Sequence, residues 1–497
     1  MSQLKRLAGQ TAIYGLPSIL GRVINYFLVG LHTSVFLMDE MGVVSELYGS
    51  IALILILITF GMETTFFRFC SRSKDGTAYH AASTIVIFIS LLVALGISQN
   101  AFAFGRFIVG PTFTENNVII IQLLAAIILV DGLTAIPFAR LRMENRPLFF
   151  AFAKLTAIFA NIVLQILFLL VFPDIYNGQY LPSLQEFVKV VYNPNLGIEY
   201  IFLANLLSNL LLLPILAQEF FRIRITFKWA TLKPMLAYAT PLVITGLAGW
   251  FVSDLDKIVV AKWSPNGLGE QGVYTQTFKL GALMLLAIQA FRYAAEPFFF
   301  SQSEDKEAPK LFAKTLHYFV ILGLLLLLAV SMNIDWIAAI FLRKPEFRTA
   351  LYLVPIIMFG KLLYGVYLNI SIWFKIKDKT SYGLLFTAIG AAVSLAGNII
   401  LLPRIGMLGA AISIILSYLA MNVACYWLGK KHFPVPYNFL PLLVYSIILV
   451  GLAAGSFYFS FTNQIAEITF NIIVPIVIAA AVYLIEKKTL IKPINNG

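Results

Sequence analysis

Charge is what this sequence has least of. Asp, Glu, Lys and Arg make up 12% of its 497 residues, while 60% are hydrophobic; a soluble domain carries about 25% charged residues. That shortage excludes a soluble enzyme, a nucleic-acid binder and a disordered chain. Thiols are scarce as well. Cys70 and Cys425 are the two cysteines, which excludes a disulfide scaffold, a CxxC redox pair and a thiolate zinc site. The four histidines, His32, His80, His317 and His432, form no HExxH pair, and Gly360-Lys361 and Gly429-Lys430 lack the upstream glycine and following Ser/Thr of a P-loop. No metal, cofactor or catalytic residue is expected, and the chain reads as a non-enzyme. Lys5-Arg6 leads into an apolar run too long for a signal-peptide core and without a small-residue cleavage site, so the first helix is expected to stay in the membrane.

What is present is apolar length. Stretches able to cross a bilayer fall at 12–37, 46–68, 79–103, 116–140, 148–172, 197–220, 239–262, 271–292, 313–332, 348–376, 382–402, 406–429, 438–460 and 466–486. The expectation is an all-α polytopic membrane protein of about 14 helices. Its two longest connections, 173–196 and 293–312, are too short for a globular domain, which needs about 50 residues. With the N-terminus inside, 25 Lys and Arg fall on inner loops and tails and 7 on outer loops. That bias predicts cytoplasmic termini, and it assigns the net charge of +12 to a rim facing lipid headgroups.

An internal echo divides the chain. Tyr14-Gly-Leu-Pro17 opens the first span and Tyr238-Ala-Thr-Pro241 the seventh. Gly42-Val43 recurs as Gly272-Val273, and Arg142/Arg146 before Asn161 recur as Lys375/Lys379 before Asn398. The common order predicts two pseudo-symmetric six-helix lobes, 1–230 and 231–434, followed by a helix pair and cytoplasmic tail, 435–497. Facing repeats of this kind let secondary transporters alternate access to a midplane site.

Three blocks carry a family resemblance: Tyr14-Gly15 through Phe60-Gly61-Met-Glu63-Thr-Thr-Phe-Phe-Arg68; Ser253-Asp-Leu-Asp256-Lys257 with Gly272-Val-Tyr274 and Lys279; and Lys379-Thr380 with Asn398-Ile-Ile-Leu-Leu-Pro-Arg-Ile-Gly406-Met-Leu-Gly409-Ala-Ala411. Over essentially its whole length the chain resembles the polysaccharide transporter family, the O-antigen (Wzx-like) flippases of the MATE-like superfamily. The resemblance implies a V-shaped transporter in the bacterial inner membrane. It would carry an undecaprenyl-diphosphate-linked oligosaccharide from the inner to the outer leaflet for surface polysaccharide (lipopolysaccharide O-antigen) synthesis, alongside membrane lipids, a polysaccharide polymerase and glycosyltransferases.

Ionisable residues at bilayer depth cost several kcal/mol and mark pathways or fixed pairs. Four bases qualify: Arg22, Lys257, Lys279 and Lys361. Gly15, Ser18, Arg22, Asn25 and His32 share one face of the first helix by 3–4 spacing. A diphosphate head would meet Arg22, Lys279, Lys361 and Lys257, with Asn25 beside them and Tyr26, Tyr274 and Tyr364 placed to stack on sugar rings. The structural alternative is that each base is tied to a carboxylate, most readily Lys257 to Asp254 or Asp256. Among the acids, Asp131 and Asp256 are ion-coupling candidates, while Glu63 is expected to pair with Arg68 or another inner-rim base, and Glu296 with Arg292. Asp254-Leu-Asp256 imitates a glycosyltransferase DxD, but residues two apart on one helix point about 200° away from each other. Gly451-x-x-x-Gly455 reads as a helix-packing notch. Rival functions are a MATE-type cation or drug antiporter, whose cleft should be acidic; a membrane glycosyltransferase or polymerase, which would need a large outer loop; and a silent scaffold.

Overall fold

A computed structural model describes residue 21 and residues 26–70, 76–302, 305–377, 379–459 and 463–490. Among them every regular element is helical. Eleven helices are long and apolar enough to cross a membrane, about 20 residues being needed for a hydrocarbon core of about 30 Å. In chain order the main elements are α1 (Tyr26–Val35), α2 (Met38–Cys70), α3 (Thr77–Gln99), α4 (Glu115–Met143), α5 (Pro147–Tyr176), α6 (Glu199–Ile215), α7 (Trp229–Ser253), α8 (Asp256–Trp263), α9 (Gly267–Gly281), α10 (Leu283–Gln302), α11 (Ala308–Met332), α12 (Leu353–Ile376), α13 (Ser381–Ile405), α14 (Met407–His432), α15 (Phe439–Tyr458) and α16 (Gln464–Lys487). The chain is a multi-pass membrane protein.

The helices follow from Leu, Ile, Ala and Phe runs with few competing polar groups. Hydroxyls inside the spans turn back on their own helix: Ser50 donates to Glu46 C=O at 2.8 Å, Thr84 to His80 C=O at 2.8 Å and Ser417 to Ser413 C=O at 2.7 Å. No donor is left facing hydrocarbon at those positions. In α2 the Glu40 carboxylate accepts the Leu37 N–H at 2.7 Å, starting the helix eight residues before the expected position 46. The same helix breaks at Phe60 (φ 47°) and Gly61 (φ 62°), two successive left-handed residues.

The chain divides into two compact units, Met1–Gly272 and Val273–Gly497. The first has a core of Met62, Phe66, Tyr79, Val86, Ile136 and Met235. In the second, Phe299, Phe312 and Ile372 form one cluster, and α12 is buried along most of its length.

Several expectations are corrected. The connection at 293–312 is mostly helix, because α10 runs to Gln302 and α11 begins at Ala308. The connection at 173–196 carries a short helix, Gln185–Val191. Tyr238 and Pro241 lie inside α7, which begins at Trp229, so they do not open it. Gly451 and Gly455 have nothing within 4 Å of an added Cβ; they face open space and form no packing notch. The α7–α8 junction also breaks between the two acids of Asp254-Leu-Asp256, so they do not share a continuous helix.

Candidate functional site

In the C-terminal unit, Lys361 sits in the third turn of α12 with only 2% of its surface exposed. Its ammonium lies 4.7 Å from the Phe278 ring centroid and 5.7 Å from that of Tyr418. Three helices supply this cradle: α9 gives Phe278, α14 gives Tyr418 and α12 the lysine. Gly360 allows the close approach, since a Cβ there would fall 2.8 Å from Ile414 of α14. A cation over a desolvated ring gains about 2 kcal/mol, which offsets part of the several kcal/mol of burying an ammonium.

Lys279 follows Phe278 in α9, and its Nζ donates to Gln276 Oε1 at 3.0 Å. Tyr364 lies one turn along α12 from Lys361, half-buried, with its ring 5.3 Å from that of Tyr418. Tyr274 is fully buried, 6.0 Å from the Phe278 ring. Lys361, Tyr274 and Tyr364 are therefore joined through Phe278 and Tyr418, two residues to which sequence reasoning gave no role, while the Lys279 ammonium bonds to Gln276. Phe278 was legible only as the neighbour of Lys279, and nothing in the spacing pointed to Tyr418.

The N-terminal unit holds the remaining candidates. Arg22 and Asn25 lie outside the described residues. Tyr26 is half-buried at the start of α1. Further along that helix, buried His32 meets Gln165 of α5 at 2.5 Å, and Gln165 donates to Asn161 at 3.0 Å. Lys257 is ion-paired with Asp254, which also accepts the Ser253 hydroxyl. This pair is the one that the structural alternative for Lys257 expected. Asp256 begins α8 and is 4% exposed. Asp131 of α4 accepts a hydrogen bond from Asn209 of α6 at 2.8 Å. Glu63 pairs with Arg142, one of the bases that the sequence reading counted with the inner loops. The Glu296 side chain lies outside the described ones.

Two charged residues inside candidate spans were given no role by the sequence reading. Lys154, counted with an inner loop, stands inside α5 with its ammonium 4.1 Å from the Phe138 ring, and acts electrostatically on Asp131. Glu46, placed at the very edge of a span, is three turns into α2, wholly buried, and neither carboxylate oxygen has a hydrogen-bond partner. At the N-terminal unit's rim, Glu219 is buried between Arg146 at 2.7 Å, Arg140 at 3.3 Å and Arg222 at 3.7 Å. Among the described residues, no group of three or more His, Cys, Asp or Glu is placed to hold a metal ion.

No protein-family model matches the chain, and no curated protein matches it. Solved structures do. The chain is similar to a structure of the lipid II flippase MurJ in an inward closed conformation, with a TM-score of 0.70 and 14% identity over 96% of this chain and 99% of that one. It is similar to an inward-facing multidrug resistance MATE family transporter of the MOP superfamily, with a TM-score of 0.60 and 13% identity over 85% of this chain and 94% of that one. A MOP superfamily transporter from Pyrococcus furiosus, described as having a binding pocket of reversed polarity, matches with a TM-score of 0.58 and 14% identity over 87% and 98% of the two chains. The chain thus has the fold shared by that lipid flippase and these MOP superfamily transporters.

Proposed function

We propose that the protein is a flippase that moves an undecaprenyl-diphosphate-linked oligosaccharide from the cytoplasmic to the outer leaflet of a bacterial inner membrane by alternating access, with both termini cytoplasmic. The observation that carries the reading is Lys361, a lysine buried at mid-helix against the rings of Phe278 and Tyr418. A site built from such cations suits an anionic diphosphate and opposes a cationic drug. Tyr274, Tyr364 and Tyr26 supply rings for sugars, and Arg22 and Asn25 complete the set on the first helix. Lys257 takes a secondary part, because Asp254 already neutralises it. An inside-negative potential favours outward passage of the head by about 2.3 kcal/mol per net negative charge per 100 mV. Asp131 and Asp256 are the proposed coupling-ion residues. The polymerase and glycosyltransferases of polysaccharide assembly are the proposed partners.

The similarity to multidrug transporters supports a second reading, cation antiport. Proteoliposomes discriminate the two. With fluorescent lipid-diphosphate oligosaccharide in one leaflet, wild type should accelerate its appearance in the other, while Arg22→Ala and Lys361→Ala should not. Wild-type efflux of a cationic dye without lipid transfer would establish the antiporter instead.

A further inference from the structure

Between α6 and α7 the chain forms neither helix nor turn at 223–228. It runs extended along one stripe of α3. The Arg224 N–H donates to His80 Nδ1 at 3.2 Å, the Thr226 N–H donates to Thr84 Oγ1 at 3.0 Å, and the Phe227 ring stands edge-on to Phe88 with centroids 6.2 Å apart. Residues 80, 84 and 88 lie one above another on a helix, so the strap follows α3 for about 12 Å. Its upstream end is held by Arg222, paired with Glu219 at 3.7 Å and Glu144 at 3.9 Å.

What the strap displays is two-natured. Ile225, Phe227 and Trp229 are 58%, 66% and 64% exposed. Arg224, Lys228 and Lys233 are exposed beside them, and among the described residues none of the three has a carboxylate within ion-pair distance. A water-facing connection would not expose alternate large apolar side chains, and one buried in hydrocarbon would not carry unpaired cations. The combination matches the headgroup layer, where Trp settles and cations meet lipid phosphates.

We infer that the 223–228 strap and the first turn of α7, together residues 223–233, are a docking surface for anionic glycerophospholipid, with Ile225, Phe227 and Trp229 entering the acyl boundary and Arg224, Lys228 and Lys233 gripping the headgroup phosphate. Charge complementarity selects the occupant: each cation near an anionic surface changes binding about fivefold, and a zwitterionic lipid offers no net charge to meet them. The inference is independent of which substrate the protein carries.

The full chain, reconstituted with equal amounts of phosphatidylglycerol and phosphatidylcholine and released for native mass spectrometry, should retain phosphatidylglycerol at least fivefold over phosphatidylcholine. The Arg224→Gln/Lys228→Gln/Lys233→Gln variant should lose that preference, and Lys430→Gln/Lys431→Gln, which removes two exposed cations elsewhere, should keep it. Unchanged retention in the triple variant overturns the inference. So does full displacement of the lipid by millimolar inorganic phosphate, which would reveal a soluble-anion site. Should the triple variant not fold, the wild type decides. The emission lost in a Trp229→Phe comparison should be quenched more by brominated phosphatidylglycerol than by brominated phosphatidylcholine; equal quenching refutes the assignment.

Discussion

Gly42 and Gly272 lie against each other. A Cβ on Gly272 would fall 2.0 Å from the Met38 carbonyl oxygen and 3.1 Å from the Gly42 nitrogen, and one on Gly42 would fall 2.1 Å from the Leu268 oxygen. The two glycines read in the sequence as equivalent points of a repeat are here direct neighbours within the N-terminal unit, where α2 and α9 cross backbone to backbone. Because the clashing atoms are main-chain, the crossing cannot relax by turning a side chain. Gly272→Val should cost about 3 kcal/mol and lower the thermal midpoint of purified protein. Gly451→Val, facing open space, should leave the midpoint unchanged.

Lys361 separates stability from transport. Burying an ammonium costs several kcal/mol and Met fills a similar volume, so Lys361→Met should keep the unfolding midpoint at or above wild type while abolishing lipid transfer. A Met variant that still transports would remove Lys361 from the substrate path.

Glu219 is a structural charge. With three arginines around a carboxylate of 1% side-chain exposure, Glu219→Gln leaves their charges uncompensated and should destabilise by about 3–5 kcal/mol. Glu186→Gln, which breaks an exposed pair with Lys189, should change stability by less than about 1 kcal/mol. Chemical denaturation of the two variants in parallel checks the contrast.

Glu46 is the reverse case. A carboxylate buried with both oxygens unpartnered is a cost to the fold, so Glu46→Gln or Glu46→Met should raise the thermal midpoint. A loss of transport in the stabilised variant would show that the cost is retained for function.

Thiol accessibility follows from burial. Cys425 is buried and Cys70 partly exposed. A maleimide should label Cys70 in folded protein and reach Cys425 only after denaturation, as peptide mapping would report.

Helix existence was legible because apolar length dominates every other signal, and Lys361 was legible as an exception to it, while Lys257 and Lys279 stand on the shorter helices α8 and α9, outside the eleven candidate spans. Ends were not. The start of α2 depends on Glu40 turning back to the Leu37 N–H, and the extension of α10 past Arg292 carries charges that hydropathy reads as a loop. The earlier start of α2 carried Glu46 into the helix, which is why it went unnoticed, whereas Lys154 fell inside the expected span 148–172 and was counted with the inner loop all the same. The rings holding Lys361 come from helices far apart in sequence, and a Phe or Tyr in an apolar run gives no sign of the cation it will face. Lys257 could be read either way from Asp254 nearby, and the sequence did not say which acid it would pair with; the structure pairs it with Asp254.

The aromatic cradle of Lys361 has an energetic corollary. An ammonium that is 2% exposed and set against two rings has given up most of its contact with water during folding. Under the proposed function, the dehydration cost of this ammonium is met once, at assembly, and does not recur with each turnover.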